Sequence, residues 1–460
     1  MANNKEIFFH FSWKKPFYLR FNQQKILKEC EITLPRTAIN EWFKKPTTLR
    51  IILLIVGTTT LALLFDLFGL GAGSIGSFTF INYASNFTNA GTFIILLYSP
   101  LLSSDGGIGV LSSRLGTGLH LGSIQTKLLK NTESYYTLIS AVLTLGTFNG
   151  LWIGLISYIT NLVVSGTSRI FNPLPFIVIP ILTLTISSAI SSQITSLLAF
   201  FVFKKKLDPD TWVYPTMSTI NNILSTLFYA LMIVILQPKN WFTETGVWTK
   251  ITAPTYFMLI PVGLYLGFVG YIISRNYKKK DYLGILKQAM PIQSVTLTIN
   301  SLTGGILSAA DKALTNLRGL FLIYPALIDT LGDECTITSN TTSTNLALGS
   351  IPAKLNAITD KDLWTNLVGV GISGLILHLF YGILGSLIVA DFRNMGVVIG
   401  IALGINIFGY LIVQSVIYFI LIIGYRKGLD PDNIAVPIIA SLSNLVCSAL
   451  ILLFTLPFGY

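Results

Sequence analysis

Two aspartates and two asparagines recur at matching places in the two halves of this sequence, and their side-chain oxygens suit a hard divalent cation. Asp105 ends the stretch SPLLSSD, and Asp329 ends the similar stretch YPALID. Asn222 and Asn444 each lie fourteen residues after the first Asp of an LDPD motif. Hard divalent cations accept carboxylate and amide oxygens as ligands. These residues, with Asp333 as a further candidate ligand, therefore predict a metal site.

Structural interpretations of the same residues stay open. Asp105 lies between Pro100 and the glycine pair at 106–107, and Asp329 lies four residues after Pro325. Proline and glycine would free backbone carbonyls beside each carboxylate. They can equally end a helix at the cytoplasmic interface. Asn222 and Asn444 lie about 21 Å along a helix from its start, so they are deep in the apolar layer. There they either form a polar collar around an ion or make a hydrogen bond between helices.

The other charged residues have simpler interpretations. In each LDPD motif the first Asp caps a helix, Pro fits the first turn, and the second Asp favours the positive end of the helix dipole. A solvated loop is the interpretation we favour for Asp333 and Glu334. Arg114 is expected to face lipid phosphate or to follow the general charge bias. Three aspartates are expected at solvated outer ends of spans: Asp66, Asp311 and Asp391. In the alternative interpretation, one of them forms an outer vestibule. His120 is expected in a loop, and His378 is expected in the core.

The elements that position these residues must be membrane helices. Of the 460 residues, 52% are hydrophobic and only 11% are charged, whereas a soluble domain carries about 25% charged residues. Several apolar tracts reach the roughly 20 residues that a helix needs to cross a bilayer. The three cysteines and three histidines form no CxxC or HExxH motif, so redox or zinc chemistry has no support. The fold class is all-α, a polytopic helical membrane protein.

Apolar windows predict eleven spans. The spans lie at 49–70, 87–104, 137–163, 173–203, 211–236, 253–275, 291–310, 317–332, 364–390, 394–424 and 432–456. With the N-terminus inside, 25 of the 31 Lys and Arg residues fall on the cytoplasmic side, as the positive-inside rule requires. The C-terminus is then outside. The basic N-terminal tail, 7–48, is expected to lie along the cytoplasmic membrane surface, with a plug at the inner mouth as the alternative.

The spans form a tandem repeat. The sequence LGSI at 121–124 returns at 348–351, and LDPD at 207–210 returns at 429–432. Two five-span units joined directly would be inverted relative to each other, and the extra span at 253–275 restores a parallel orientation. The expected architecture is a pseudo-dimer whose twofold axis lies along the membrane normal. Its segments are an N-terminal segment 1–48, a first repeat 49–236, a linker 237–284 and a second repeat 285–460.

These motifs resemble the MgtE membrane domain. The Pro-x-Leu-x-x-Asp-x-Gly ending of the second span, the LGSI after it and the LDPD that opens the fifth span carry the resemblance, over residues 49–236 and 285–460. In bacterial magnesium channels this five-span unit pairs as a homodimer around a pore. The tandem form is similar to the eukaryotic solute-carrier relatives of MgtE and to similar archaeal proteins. The family typically has an Asp on the ion path where Asn222 and Asn444 stand here, so the resemblance does not imply strong magnesium affinity. About 48 residues precede the first span, so sensing by the cytosolic CBS domains of bacterial MgtE is not expected.

The resemblance implies transport of divalent cations, Mg²⁺ foremost, between the two repeats. We expect no enzymatic activity, no nucleic-acid partner, a lipid bilayer as the surrounding phase, a fused monomer, and a plasma-membrane location. The alternatives are a membrane scaffold or ion sensor that transports nothing, and an intramembrane aspartyl protease. Transport requires a polar path between the repeats, and a protease requires two facing aspartates. A scaffold requires neither feature.

Overall fold

The computed structural model describes residues 46–67, 101, 104, 106–165, 173–236, 253–309, 317–354, 357 and 360–458. Within these ranges the chain forms helices and no strands. The helices are α1 (Pro46–Leu63), α2 (Gly106–His120), α3 (Glu133–Ser165), α4 (Pro173–Lys204), α5 (Pro209–Leu236), α6 (Ala253–Asn276), α7 (Lys280–Ala309), α8 (Arg318–Leu348), α9 (Lys361–Ile388), α10 (Met395–Arg426) and α11 (Pro431–Thr455). Asp105, Asp311, the tail at 7–45 and nearly all of the span at 87–104 lie outside the described residues.

The helices confirm a polytopic membrane protein. Six of the described helices are long and apolar enough to cross a membrane. Most predicted spans agree with a helix to within a few residues, but two are longer than predicted. The span predicted to begin at 291 starts at Lys280, and the span predicted to end at 332 continues to Leu348. A further helix, α2, occupies a stretch that was expected to be a loop.

The C-terminal half of α8 is helical although its sequence is rich in Thr and Ser. Hydroxyl groups there donate to carbonyl oxygens one turn back in the same helix, as Thr338 does to Glu334, Thr341 to Ile337 and Thr342 to Thr338. Such bonds satisfy the hydroxyls inside a helix. Packing against neighbouring helices buries most of the stretch. The expectation of a solvated loop at Asp333 and Glu334 is therefore wrong.

The repeated LGSI motif marks the same helix end in both repeats. Gly122 follows α2 with φ 69°, and Gly349 follows α8 with φ 75°. This left-handed conformation ends a helix at little cost when the residue is glycine. In both places the amide of the next serine donates to a carbonyl of the last turn, from Ser123 to Gly118 and from Ser350 to Asn345. Aligning the two glycines makes α2 the counterpart of the C-terminal half of α8.

The repeats pack around a pseudo-twofold axis. Helix α2 of the first repeat packs on α11 of the second, and α8 of the second packs on α5 of the first. This exchange of equivalent surfaces is the signature of a twofold interface. The equivalent helices α5 and α11 begin at one shared polar cluster, described below, so they run in the same direction. The repeats are parallel, as the extra span between the two five-span units predicts.

The first helix of each repeat lies against the other repeat. Residues on α1 contact α9, where Ser373 donates to the carbonyl oxygen of Val56. Helix α7 packs on α3 of the first repeat, where Trp152 donates to the carbonyl oxygen of Ser294 and Thr144 bonds Tyr282. Apolar side chains of α8, α9, α10 and α11 form the largest core cluster. Helices α2, α5, α8 and α11 therefore form the central interface between the repeats. We call this interface the seam.

Candidate cation-binding site

Polar side chains follow one face of α8 along the seam. Asp329, Asp333, Thr336, Asn340 and Ser343 are spaced by four, three, four and three residues, so they share one helix face over about 21 Å. All but the half-buried Asp329 are at most 4% exposed. Buried side-chain oxygens of Thr336 and Asn340 have no hydrogen-bond partner. Buried polar groups normally bond protein or water, so this track is suited to water or a hydrated ion.

The structure brings two of the predicted site residues together across the seam. Asn222 of α5 donates from Nδ2 to Oδ2 of Asp329 at 3.2 Å. The amide oxygen Oδ1 of Asn222 is buried and has no hydrogen-bond partner. An oxygen ligand is therefore available beside a carboxylate, halfway along α8. Asp329 lies within a continuous helix, and not at the helix end where the sequence had placed it.

Two more carboxylates complete this seam cluster, which we define as Asp66, Asn222, Asp329 and Asp333. Ser218 of α5 donates to both oxygens of Asp333, at 3.2 and 3.1 Å. The carboxyl groups of Asp66 and Asp333 are within hydrogen-bonding distance of each other, and Asp329 is near Asp66.

Asp66 is fully buried, so the prediction of a solvated span end is wrong. It accepts bonds from Thr219 at 3.2 Å and Thr330 at 2.9 Å. After α1 ends at Leu63, the chain turns and tucks this carboxyl between α5 and α8. Asp391, in contrast, is half-buried between α9 and α10, where it accepts bonds from Asn394.

Two carboxyl groups of the seam cluster, those of Asp66 and Asp329, lie in no ion pair within the described part of the chain. An unpaired buried carboxylate is costly and is stabilised by a proton or a cation. The adjacent Glu334 is also fully buried, but it points away and accepts two bonds from Asn406 of α10 at 2.8 and 3.0 Å. A bound cation would offset the charge of the seam cluster.

The equivalent amide in the second repeat has a different partner. Asn444 of α11 is half-buried, and its Nδ2 donates to Asn300 of α7 at 3.3 Å. Asp105, predicted as the counterpart of Asp329, lies outside the described residues.

A second polar cluster joins the starts of α5 and α11. Thr344 donates to Oδ2 of Asp210 at 2.6 Å and lies 3.2 Å from the hydroxyl of Thr117. Asp432 accepts a bond from Ser113 at 2.9 Å and another from Ser343. The second Asp of each LDPD motif is thus buried in the seam, which sequence reasoning missed by treating it as a helix-dipole residue.

The first Asp of each motif caps its helix, as predicted. Asp208 accepts from the amide of Asp210, and Asp430 accepts from the amide of Asp432, both at 3.1 Å. Arg114 of α2 does not face lipid phosphate. It forms an ion pair with Asp430 and donates to Asn433 at 2.6 Å. The expectation that Arg114 faces lipid phosphate is wrong, because helix α2 places its guanidinium group against the second repeat.

The two histidines differ in exposure. His378 is fully buried, with Nδ1 2.9 Å from the carbonyl oxygen of Gly374, which agrees with a core residue. His120 is the last residue of α2, outside the predicted spans, and its Nε2 lies 3.4 Å from Asp208. The hydrogen bond with Asp208 raises the pKa of His120 above its ordinary value, because the carboxylate stabilises the protonated imidazole. The protonated, positively charged form of His120 is therefore favoured beside Asp208.

One family model matches the chain twice. The model is MgtE, described as a divalent cation transporter, and it matches residues 98–232 and 324–454. No curated protein and no solved structure matches the chain. The two matches cover more than half of the sequence, and each lies within one of the two structural repeats. The chain therefore belongs to the MgtE family of divalent cation transporters, as a tandem duplication of the family domain.

Proposed function

We propose that the chain carries Mg²⁺ across the membrane along the seam between the repeats. The observation that carries this proposal is the polar face of α8 from Asp329 to Ser343. Ser343 contacts Asp432 at the start of α11. Asp333 is part of this face, and Asn222 of α5 adds an amide beside Asp329. In the proposal, Asp105 and Asn444 are the counterparts of Asp329 and Asn222 in the other repeat. The N-terminus is cytoplasmic and the C-terminus external in this proposal, in the plasma membrane, with one chain forming the complete pathway.

The spacing of the seam cluster favours a hydrated ion. Carboxylate, amide and hydroxyl oxygens line it, but no three carboxylate or imidazole ligands there converge within 4.8 Å among the described residues. Mg²⁺ gives up its waters reluctantly and is often bound through them. A cluster too wide for direct coordination by several side chains can still hold the water shell through Asp329, Asp333 and the free amide oxygen of Asn222.

The charge of the cluster makes it selective for cations. The carboxylates of Asp66, Asp329 and Asp333 repel anions and attract a divalent ion at the depth where entry into the bilayer is most costly. The asparagine at position 222 lowers that charge relative to an aspartate. We therefore expect weaker ion affinity and faster release than a carboxylate there would give.

Uptake of Mg²⁺, Co²⁺ and Mn²⁺ into proteoliposomes tests the proposal. We expect the D329N variant, and the D105N/D329N double variant, to lower Mg²⁺ flux at least tenfold, since each substitution removes seam charge while keeping side-chain size. The matched control is D391N, which removes a half-buried carboxylate from the loop between α9 and α10 and should keep wild-type flux.

Two outcomes would contradict this function. Wild-type flux in D105N/D329N would remove the aspartates from the pathway. Absence of flux for all three ions in the wild-type protein would favour the scaffold or sensor alternative.

Intramembrane proteolysis is the second candidate, because the carboxyl groups of Asp66 and Asp333 face each other. Aspartyl proteases need two such groups sharing a proton. Cleavage of a transmembrane peptide substrate by the wild-type protein, abolished in D66N, would support it. Membership of a transporter family favours transport.

A further inference from the structure

A compact group of potential metal ligands lies outside the seam cluster. One ligand atom each from His120, Asp208 and Asp210 lies within 4.8 Å of the others. His120 is the last residue of α2, Asp208 precedes α5, and Asp210 is in its first turn. Among the described residues this is the single place where three such side chains converge so closely. We call it the first corner.

Asp210 supplies an independent sign of a missing ligand. It is 2% exposed, and its Oδ1 atom has no hydrogen-bond partner. Its other oxygen accepts the bond from Thr344. A buried carboxylate oxygen without a donor is costly, and a metal ion would satisfy it.

Glycine makes room for this carboxylate. A Cβ atom built on Gly116 would lie 1.9 Å from Oδ1 of Asp210, which is closer than any non-bonded contact allows. The residue type on α2 therefore permits Asp210 to sit against the helix backbone, near the end of α2 that carries His120.

The ligand set favours a transition metal. Imidazole nitrogen suits later transition metals such as Co²⁺ and Zn²⁺ better than Mg²⁺, which prefers all-oxygen ligands. The side chains of His120 and Asp208 are 31% and 45% exposed, so an ion can arrive from water and keep water ligands. The buried Asp210 carboxylate closes the opposite side.

We propose that His120, Asp208 and Asp210 form a binding site for a divalent transition metal, separate from the seam cluster. Asp210 also accepts a bond from Thr344 of the second repeat, so an ion bound here contacts a residue that joins the two repeats. The site is thus placed to sense metal at the end of the seam that the charge distribution predicts to be cytoplasmic.

Co²⁺ titration of the purified full chain in detergent, followed by visible absorption, tests the site. We expect H120F to weaken Co²⁺ binding at least tenfold and to change the absorption bands. Phenylalanine keeps an aromatic ring against Phe203, which His120 contacts at 5.6 Å between ring centroids, but it supplies no nitrogen. D208N should weaken binding as well, since asparagine still caps α5 but carries no charge.

The matched control is D430N, which makes the same change at the equivalent motif of the second repeat. Among the described residues no histidine forms a ligand group with that motif, and we expect wild-type Co²⁺ bands. Identical Co²⁺ affinity and bands in wild type, H120F and D208N would overturn the proposal. Gel-filtration profiles show whether each variant is folded. The readout is binding, so its failure is distinct from a failure of transport.

Discussion

The starts of α5 and α11 carry the same LDPD motif but meet different neighbours. In the first repeat, Asp208 has His120 beside it at 3.4 Å. In the second repeat, Asp430 forms an ion pair with Arg114, and its backbone amide donates to Gln288 of α7 at 3.0 Å. We call this second arrangement the second corner. The second corner contains the guanidinium group of Arg114 as its cation. The first corner instead contains side chains that can bind a metal ion.

The difference follows from two positions that the repeat aligns. With the LGSI motifs superposed, Arg114 corresponds to Thr341, and His120 corresponds to Ala347. A homodimer must place the same residues at both corners, but a fused duplication is free to vary them. The comparison teaches that fusion let one corner become a fixed structural contact while the other kept exposed ligands.

Moving an arginine to the first corner should have the largest effect. Thr341 on α8 aligns with Arg114 on α2. T341R should therefore place a guanidinium against Asp208, as Arg114 lies against Asp430. A charged hydrogen bond of about 1.5–3 kcal/mol would compete with metal and weaken Co²⁺ binding roughly 10- to 100-fold. Absorption titration measures it, with T341V as the control. Unchanged affinity would show that the corners are not equivalent.

Converting the second corner into a copy of the first should have an intermediate effect. The R114T/A347H double variant removes the fixed cation and adds an imidazole beside Asp430. We expect one additional equivalent of bound Co²⁺, weaker than the first, because two hydroxyls already occupy Oδ1 of Asp432. A347H alone keeps Arg114 and should add none. An unchanged stoichiometry in the double variant would contradict the comparison.

Loss of a single hydroxyl between the repeats should have the smallest effect. T344V removes the donor to Oδ2 of Asp210 with little change in volume, which should lower the free energy of unfolding by about 1–2 kcal/mol. T341V removes a hydroxyl of the same helix that bonds only the Ile337 carbonyl, and should cost roughly 0.5 kcal/mol or less. Thermal unfolding in detergent compares them. Equal melting temperatures would mean that the bond contributes nothing.

Much of the fold could be predicted because it depends on local sequence. Apolar length located the membrane helices, and the ordered return of the LGSI and LDPD motifs revealed the duplication. Asp208 and Asp430 could be assigned as caps, since capping involves only neighbouring residues. The polar face of α8 was missed although Asp333, Thr336 and Asn340 have helical spacing, because hydropathy alone ended the span at 332.

The sequence by itself determined the membrane class, the two repeats and their parallel direction, since hydropathy, charge bias and span parity are properties of a linear chain. Only the tertiary structure decided that Asn222 meets Asp329, that Asp66 is buried, and that Arg114 belongs to the second corner. Each of these contacts joins residues more than 100 positions apart. Which distant groups meet depends on how helices pack, and a side chain's charge is compensated by whatever that packing brings within a few ångströms.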